Sequence, residues 1–296
     1  MRFCQILLLL LVALPYSNLL RAQSSELMPL RILSYNIKHG AGMDDVVNLE
    51  RQAAVINGCE PDIVGLQEVD SIVPRSGNVN EAGRMGTLCG LYATFGPAIP
   101  LSNGKYGVAV LSKEKPLSVT NIPLPGVEKR TLLVCEFEQY VFACTHLDLD
   151  ASNRLASVPI ILEEAKRWTK PFLICGDWND KPTSELITQM KKNFTILSET
   201  GSKGYSYPAD KPTACIDYVA TLGRTAMKLN SSVIDEPLAS DHRPVLVNAR
   251  VRVATSVSAP LAPAVSAATY DLSGRPIASR QPKGVFVKKG RKFLAK

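Results

Sequence analysis

Two of the three histidines in this chain, His146 and His242, stand where strand-like apolar runs meet polar residues. His242 follows Asp241 directly. The stretch FLICGDWND, Phe172 to Asp180, delivers Asp177 and Asn179 from the end of another apolar run, and Asp217 interrupts the run CIDYVA. Imidazoles and carboxylates so placed can hold and exchange protons. A buried acid such as Asp217 is expensive without a partner, and Asp241-His242 supplies the natural one. Asn36 and Glu68 each sit near the end of a strand-like segment. An amide oxygen beside a carboxylate suits a hard divalent cation such as Mg²⁺. Taken singly, each residue has a plainer reading: an Asx turn leaving a core strand for Asp177, a surface acid for Glu68, a core histidine for His146.

The elements that must position these groups follow from apolar periodicity. Arg31 to Ile37 and Ile63 to Asp70 read as strands, and Val46 to Cys59 between them has helical spacing with Asp44 and Asp45 at its start, a β-α-β-like unit. Phe172 to Cys175 reads as a strand buried on both faces, with Gly176 allowing a sharp turn. Tyr106 to Ser112 is a strand, Pro123 to Arg130 a turn-rich connection, and TLLVCEF with YVFACTHLDLD a strand pair ending at His146. Ser152 to Trp168 reads as a helix with Pro159 inside it and Arg154, Glu163 and Glu164 on its polar side; Pro182 to Lys192 reads as a second. Ser71 to Met85, carrying Arg75 and Arg84, and Gly201 to Ala214 read as loops. Val245 to Val251 closes the pattern as a strand.

Bulk properties bound the rest. The 296 residues are 46% hydrophobic and 21% charged, an ordinary globular composition. The net charge of +7 is concentrated: Tyr270 to Lys296 hold eight basic residues and one acid, which accounts for all of it. Whole-chain charge is therefore no argument for a nucleic-acid partner. Arg2, the apolar run Ile6 to Leu14 and Leu20-Arg21-Ala22 read as a secretory signal over 1–22, so export to the periplasm, cell surface or medium is expected. No other stretch is long and apolar enough to span a membrane. Cys59, Cys89, Cys135, Cys144, Cys175 and Cys215 are expected to be mostly buried free thiols, since four of them lie in apolar runs. Residues 29–252 read as one catalytic domain, 253–268 as an Ala/Ser/Val/Pro linker, and 269–296 as a basic tail with VFVKKGRKFLAK as a hairpin.

In order, SYNI, LQEVD, YGVAVLS, THLDLD, GDWND, IDYV and SDHRP resemble the motifs of the endonuclease/exonuclease/phosphatase superfamily over Leu30 to about Val251. That group includes pancreatic-type deoxyribonuclease, abasic-site endonucleases, inositol-polyphosphate phosphatases and bacterial sphingomyelinases. The resemblance implies an α/β fold, a four-layered sandwich of two packed mixed β-sheets flanked by helices. It implies that Asn36 and Glu68 bind Mg²⁺, with Mn²⁺ as a substitute, and that Asp241 is assigned to the metal. It also implies that Asp177 orients or deprotonates the attacking water and that Asn179 contacts the phosphate. His146 and His242 would stabilise the phosphoryl oxygens, with Asp217 orienting His242. Cys215 stands before Ile216, where relatives often carry a basic residue. The tail resembles the end of a type IX secretion sorting domain, though it is shorter.

The expected activity is that of a secreted, Mg²⁺-dependent monomer hydrolysing a small or lipid-linked phosphodiester. An extracellular nuclease is the alternative within the same chemistry, disfavoured because Ser71 to Lys105 holds no long basic insertion. A catalytically silent binding protein with the same fold is the alternative from another class.

Overall fold

The computed structural model describes residues 25–254 and four short strands at 269–270, 276–277, 284–288 and 291–295. The leader expected over 1–22 lies outside these residues, as does nearly all of the expected linker. The chain divides into two compact units, Met1–Ala254 and Thr255–Lys296.

In chain order the first unit contains β1 (Ser25–Asn36), α1 (Leu49–Gly58), β2 (Ile63–Ser71), α2 (Glu81–Cys89), β3 (Tyr92–Leu101), β4 (Gly104–Ser112) and β5 (Ser118–Leu124). Then come β6 (Arg130–Glu136), β7 (Val141–His146), α3 (Ala151–Lys166), β8 (Phe172–Asp177), α4 (Glu185–Lys191), β9 (Phe194–Ile196), β10 (Asp217–Leu222), β11 (Ala226–Val233) and β12 (Val245–Ala254). One sheet runs β11-β12-β1-β2-β4-β3 and the other β5-β6-β7-β8-β10-β9. Both follow one plan, in which the third and fourth strands are parallel and the other pairings antiparallel. A parallel pair needs a crossover, which α1 supplies for β1 and β2, and α3 for β7 and β8.

Three apolar layers hold the unit together. Between the sheets pack Ile32, Ile63, Val110, Phe142, Leu173 and Val247. The outer face of the first sheet meets α1 and α2 through Leu33, Leu66, Ile56 and Met85. The outer face of the second meets α3 and α4 through Val134, Ile174, Ile161 and Ile187. This is the expected four-layered sandwich of two mixed sheets. Among the described residues no helix is long and apolar enough to cross a membrane. The six cysteines from Cys59 to Cys215 are free, all buried except the half-buried Cys89.

Several local expectations are corrected. The loop expected over Ser71 to Met85 ends at Asn80, whose side chain accepts from Gly83 N–H and caps α2. Gly83 and Gly86 weaken its helical pattern in the sequence. Helix α1 starts at Leu49 under the Asn48 cap, while Asp44 lies outside it and pairs with Arg51. Strand β8 does not turn at Gly176 but continues through Asp177; a Cβ at Gly176 would lie 1.9 Å from the Thr145 carbonyl oxygen, so close strand packing explains the glycine. Arg154 and Glu164 are buried rather than on a solvated face. Arg154 binds the carbonyls of Asp148 and Leu149 and the Asp180 carboxylate, tying together the loops after β7 and β8. Strand β12 runs to Ala254, two residues into the span read as linker.

The second unit is a four-stranded antiparallel sheet, β14 (Pro276–Ile277), β13 (Thr269–Tyr270), β15 (Gly284–Lys288) and β16 (Arg291–Ala295), in that spatial order. The expected hairpin is β15 with β16.

Candidate active site

Both parallel pairs carry polar residues out at their carboxyl ends. Asn36 faces Gln67 in register on β1 and β2, and His146 faces Asp177 on β7 and β8. Antiparallel β10 begins opposite, with Asp217 in register with Asp177. Partners in register share a face of the sheet, so His146, Asp177 and Asp217 form one row across three strands. On the first sheet an extra residue interrupts the pairing of β2 with β4 between Leu66 and Val69. Glu68 sits in this bulge at φ 55°, which re-aims its carboxylate.

The two sheet ends meet at Asn36. Its Nδ2 donates to Glu68 Oε1 at 3.1 Å and to Asp177 Oδ2 at 3.2 Å, while its Oδ1 accepts from Lys38 N–H. The same Asp177 oxygen lies 3.5 Å from His146 Nε2 and 3.6 Å from His242 Nε2. Asn179, at φ 53° in the turn after β8, donates its N–H to Asp177 Oδ1. Its Nδ2 donates to the Leu147 carbonyl and lies 2.9 Å from His146 Nε2. His242 Nδ1 lies 2.9 Å from Asp217 Oδ2, which also accepts from Ser206 Oγ at 2.5 Å. Of the eight residues selected from the sequence, Glu68, His146, Asp177, Asn179, Asp241 and His242 line one cavity of about 480 Å³. Asn36 and Asp217 stand directly behind it, bonded to these.

Burial and charge set the protonation states. Burial raises Asp177 to about 7, and Asp217 adds to this while His242 opposes it. Against the cost of burial, the carboxylates of Asp217 and Asp177 raise His242 to about 10. Burial, with the positive charges of Arg130 and His242, drives His146 well below the usual imidazole range. One ring is therefore an imidazolium and the other neutral at pH 7. Burial raises Glu68 from its ordinary value despite the Asn36 bond, and the like charge of Asp241 adds to the rise.

Two carboxylate groupings could meet a cation. Asp177, Asp217 and His242 lie within 4.8 Å of one another, a spacing that could hold a metal. Asp217 Oδ2 is already shared by Ser206 and His242, however, which leaves only its buried Oδ1, and a protonated ring offers no lone pair. Among the described residues the Glu68 carboxylate accepts from Asn36 alone and that of Asp241 from Ser240 alone. These under-satisfied acids, facing the cavity with Asn36 beside them, fit an oxygen-seeking divalent cation.

The sequence pattern missed several neighbours. Arg130 is buried at the start of β6, with Nη1 3.2 Å from His146 Nδ1. A neutral ring accepts at one nitrogen only, so His146 can serve Arg130 or Asn179 but not both. Tyr106 Oη lies 3.5 Å from the same Nδ1, and Tyr207 packs against His242 with ring centroids 4.8 Å apart. A lone arginine ahead of TLLVCEF was the one available signal; Ser206 and Tyr207 lay in a stretch read as a surface loop. Arg75 lines the cavity, whereas Arg84 pairs with Glu50 on the surface. His39 lies in the turn after β1 and is not part of the cavity lining.

The family model described as Endonuclease/Exonuclease/phosphatase family matches residues 33–242. No curated protein matches the chain. Among solved structures, an endonuclease/exonuclease/phosphatase family protein from Bacteroides thetaiotaomicron aligns at TM-score 0.65 and 16% identity, over 77% of this chain and 97% of that one. An endonuclease/exonuclease/phosphatase from Beutenbergia cavernae aligns at 0.63 and 22%, over 75% and 72%. A mannosyl-6-phosphatase from Bacteroides thetaiotaomicron aligns at 0.60 and 16%, over 74% and 99%. At these identities the likeness is one of fold.

Proposed function

Because this chain belongs to the endonuclease/exonuclease/phosphatase family, we propose that it is a Mg²⁺-dependent phosphoesterase that hydrolyses a small or lipid-linked phosphodiester with an activated water. One observation carries the reading: Asp177 lies within hydrogen-bonding or ion-pairing reach of both imidazoles and is joined through Asn36 to Glu68. A carboxylate poised near neutrality can take a proton from water. The His242 imidazolium, held by Asp217, is a fixed donor to a phosphoryl oxygen, and the Arg130 guanidinium adds positive charge beside His146. Glu68 and Asp241 would hold the cation, with Asn36 Nδ2 orienting the Glu68 carboxylate rather than its amide oxygen binding the metal. The cation's chemistry here would be neutralisation of charge building on the phosphoryl oxygens. Asn179 fixes the Asp177 carboxylate through its main chain, and its side chain competes with Arg130 for the single acceptor nitrogen of His146. The cavity has the size of a small-molecule site, which favours a compact ester over a duplex.

The test is a hydrolysis panel on the purified chain: bis-p-nitrophenyl phosphate, p-nitrophenyl phosphate, DNA, sphingomyelin and inositol phosphates, each with Mg²⁺ and with EDTA. Small esters should be cleaved only with Mg²⁺. Glu68→Gln should raise the Mg²⁺ concentration required, and His242→Ala should cut turnover by roughly 10²–10⁴-fold. Wild-type rates in both variants would overturn the assignment, and a strong preference for DNA would favour the nuclease reading.

A further inference from the structure

Arg75 is the cavity cation that hydrolysis at Asp177 does not require. It comes from the turn after β2 and is held on two sides. Its Nε and Nη2 each donate at 2.8 Å to the carboxylate of Asp70, which is fully buried and also accepts from Ser76 Oγ. Its guanidinium lies over the Tyr106 ring, 5.5 Å from the centroid, while the hydroxyl of that ring points at His146. Arg75 thus stands over the face of a tyrosine ring whose hydroxyl reaches His146, in the same cavity.

A guanidinium has five N–H donors and two edges that can grip an oxyanion in fork geometry. Asp70 occupies the Nε/Nη2 edge. The Nη1/Nη2 edge has no acceptor among the described residues, and Nη1 makes no hydrogen bond there. Neutralising Asp70 needs only the first edge. The second is immobilised by Asp70 and Tyr106 before any ligand arrives, so little side-chain freedom is lost on binding.

Resting on the phosphoesterase reading, we propose that Arg75 is a specificity-determining residue that grips a second anionic group, a carboxylate or a phosphate, on the same substrate molecule whose phosphoryl group sits at His146, Asp177 and His242. The preferred substrate class is a small phosphoester with a further anion a few bonds from phosphorus.

The experiment is calorimetric titration of the full chain, at one fixed Mg²⁺ concentration, with three ligands. sn-Glycerol 3-phosphate carries no second anion. 3-Phosphoglycerate replaces its terminal alcohol with a carboxylate, and 1,3-propanediol bisphosphate carries a second phosphate, so the last two separate the sources of that anion. At least one of them should bind about tenfold or more tightly than glycerol 3-phosphate. Arg75→Gln should bring that ratio close to one. The double variant Asp70→Asn with Arg75→Gln leaves no buried charge unpaired, should also lose the ratio, and serves if the single variant fails to fold. Equal affinities for all three ligands in the wild type, no binding of any, or a ratio that survives in the folded double variant would each overturn the proposal. Failure of the phosphoesterase reading shows separately, as absence of Mg²⁺-dependent hydrolysis, because the ratio is a binding measurement.

Discussion

Asp217 holds one carboxylate oxygen against Ser206 and His242 and leaves the other buried without a donor. That arrangement makes sense if its charge is needed to keep His242 protonated, since burial alone would discharge the ring. Asp217→Asn keeps the shape and removes the charge, so turnover should fall by about 10²-fold while the melting temperature moves little. Unchanged turnover in the folded variant would remove His242 from the donor role. A second buried acid acts on stability instead. Glu81 accepts from Asp70 N–H, has its other oxygen unpartnered, and is raised by burial from 4.5 to about 8. Above pH 4.5 the unfolded chain has lost a proton that folded Glu81 keeps until about pH 8. Its contribution to stability is therefore full below that window, declines across it and is flat above. Glu81→Gln should be the more stable protein at pH 9, by on the order of 5 kcal/mol, and nearly equal to wild type at pH 4. Urea unfolding at the two pH values measures this, and parallel pH profiles for the two proteins would contradict it.

The shared plan of the two sheets brings chemistry to one rim. In each, a helix returns the chain so that two strands run the same way, and their last residues emerge side by side. Close strand contact is a condition of that plan at Gly176. Gly176→Ala would drive a Cβ into the Thr145 carbonyl, force β7 from β8 and destabilise the fold by about 3 kcal/mol or more, read as a lower urea midpoint. An alanine variant as stable as wild type would show that the strands can part without cost. Why the rim was legible in sequence and other parts were not follows from burial. β7 and β8 are buried on both faces, so their sequences are apolar runs interrupted only by Thr145 and Gly176 just before His146 and Asp177. Asn36 and Glu68 likewise end apolar runs. β3 carries Pro97 and Pro100 and is half exposed at a sheet edge, and β5 and β11 are mostly exposed, so none offered a strand pattern. Arg130, Ser206 and Tyr207 join the site through contacts with residues 16, 11 and 35 positions away in the chain, and no local periodicity encodes such contacts.

At the scale of the whole chain, charge and cores divide at the same place. All three apolar layers are built from residues between Met28 and Val253, and the net charge of +7 resides in Tyr270 to Lys296. We propose that the tail serves export and that hydrolysis belongs to the first unit alone. A chain ending at Ala254 should then melt as the full chain does and cleave the same small phosphoester with kcat/KM unchanged within about twofold, while failing to leave the cells of its native host. This unit is formally neutral, so its overall charge gives no sign of the many phosphate contacts of a nucleic-acid binder. Such a protein, with six to ten contacts, loses roughly 10³–10⁵ in affinity between about 50 and 200 mM salt. KM of the truncated chain for its small ester should instead shift only a few-fold over that range, because attraction at one or two phosphate groups releases few counterions. A salt slope of the steep kind on DNA, with activity on DNA exceeding that on every small ester, would mean that the cavity opens to a polymer and that neutrality of the whole unit conceals a basic track along one face.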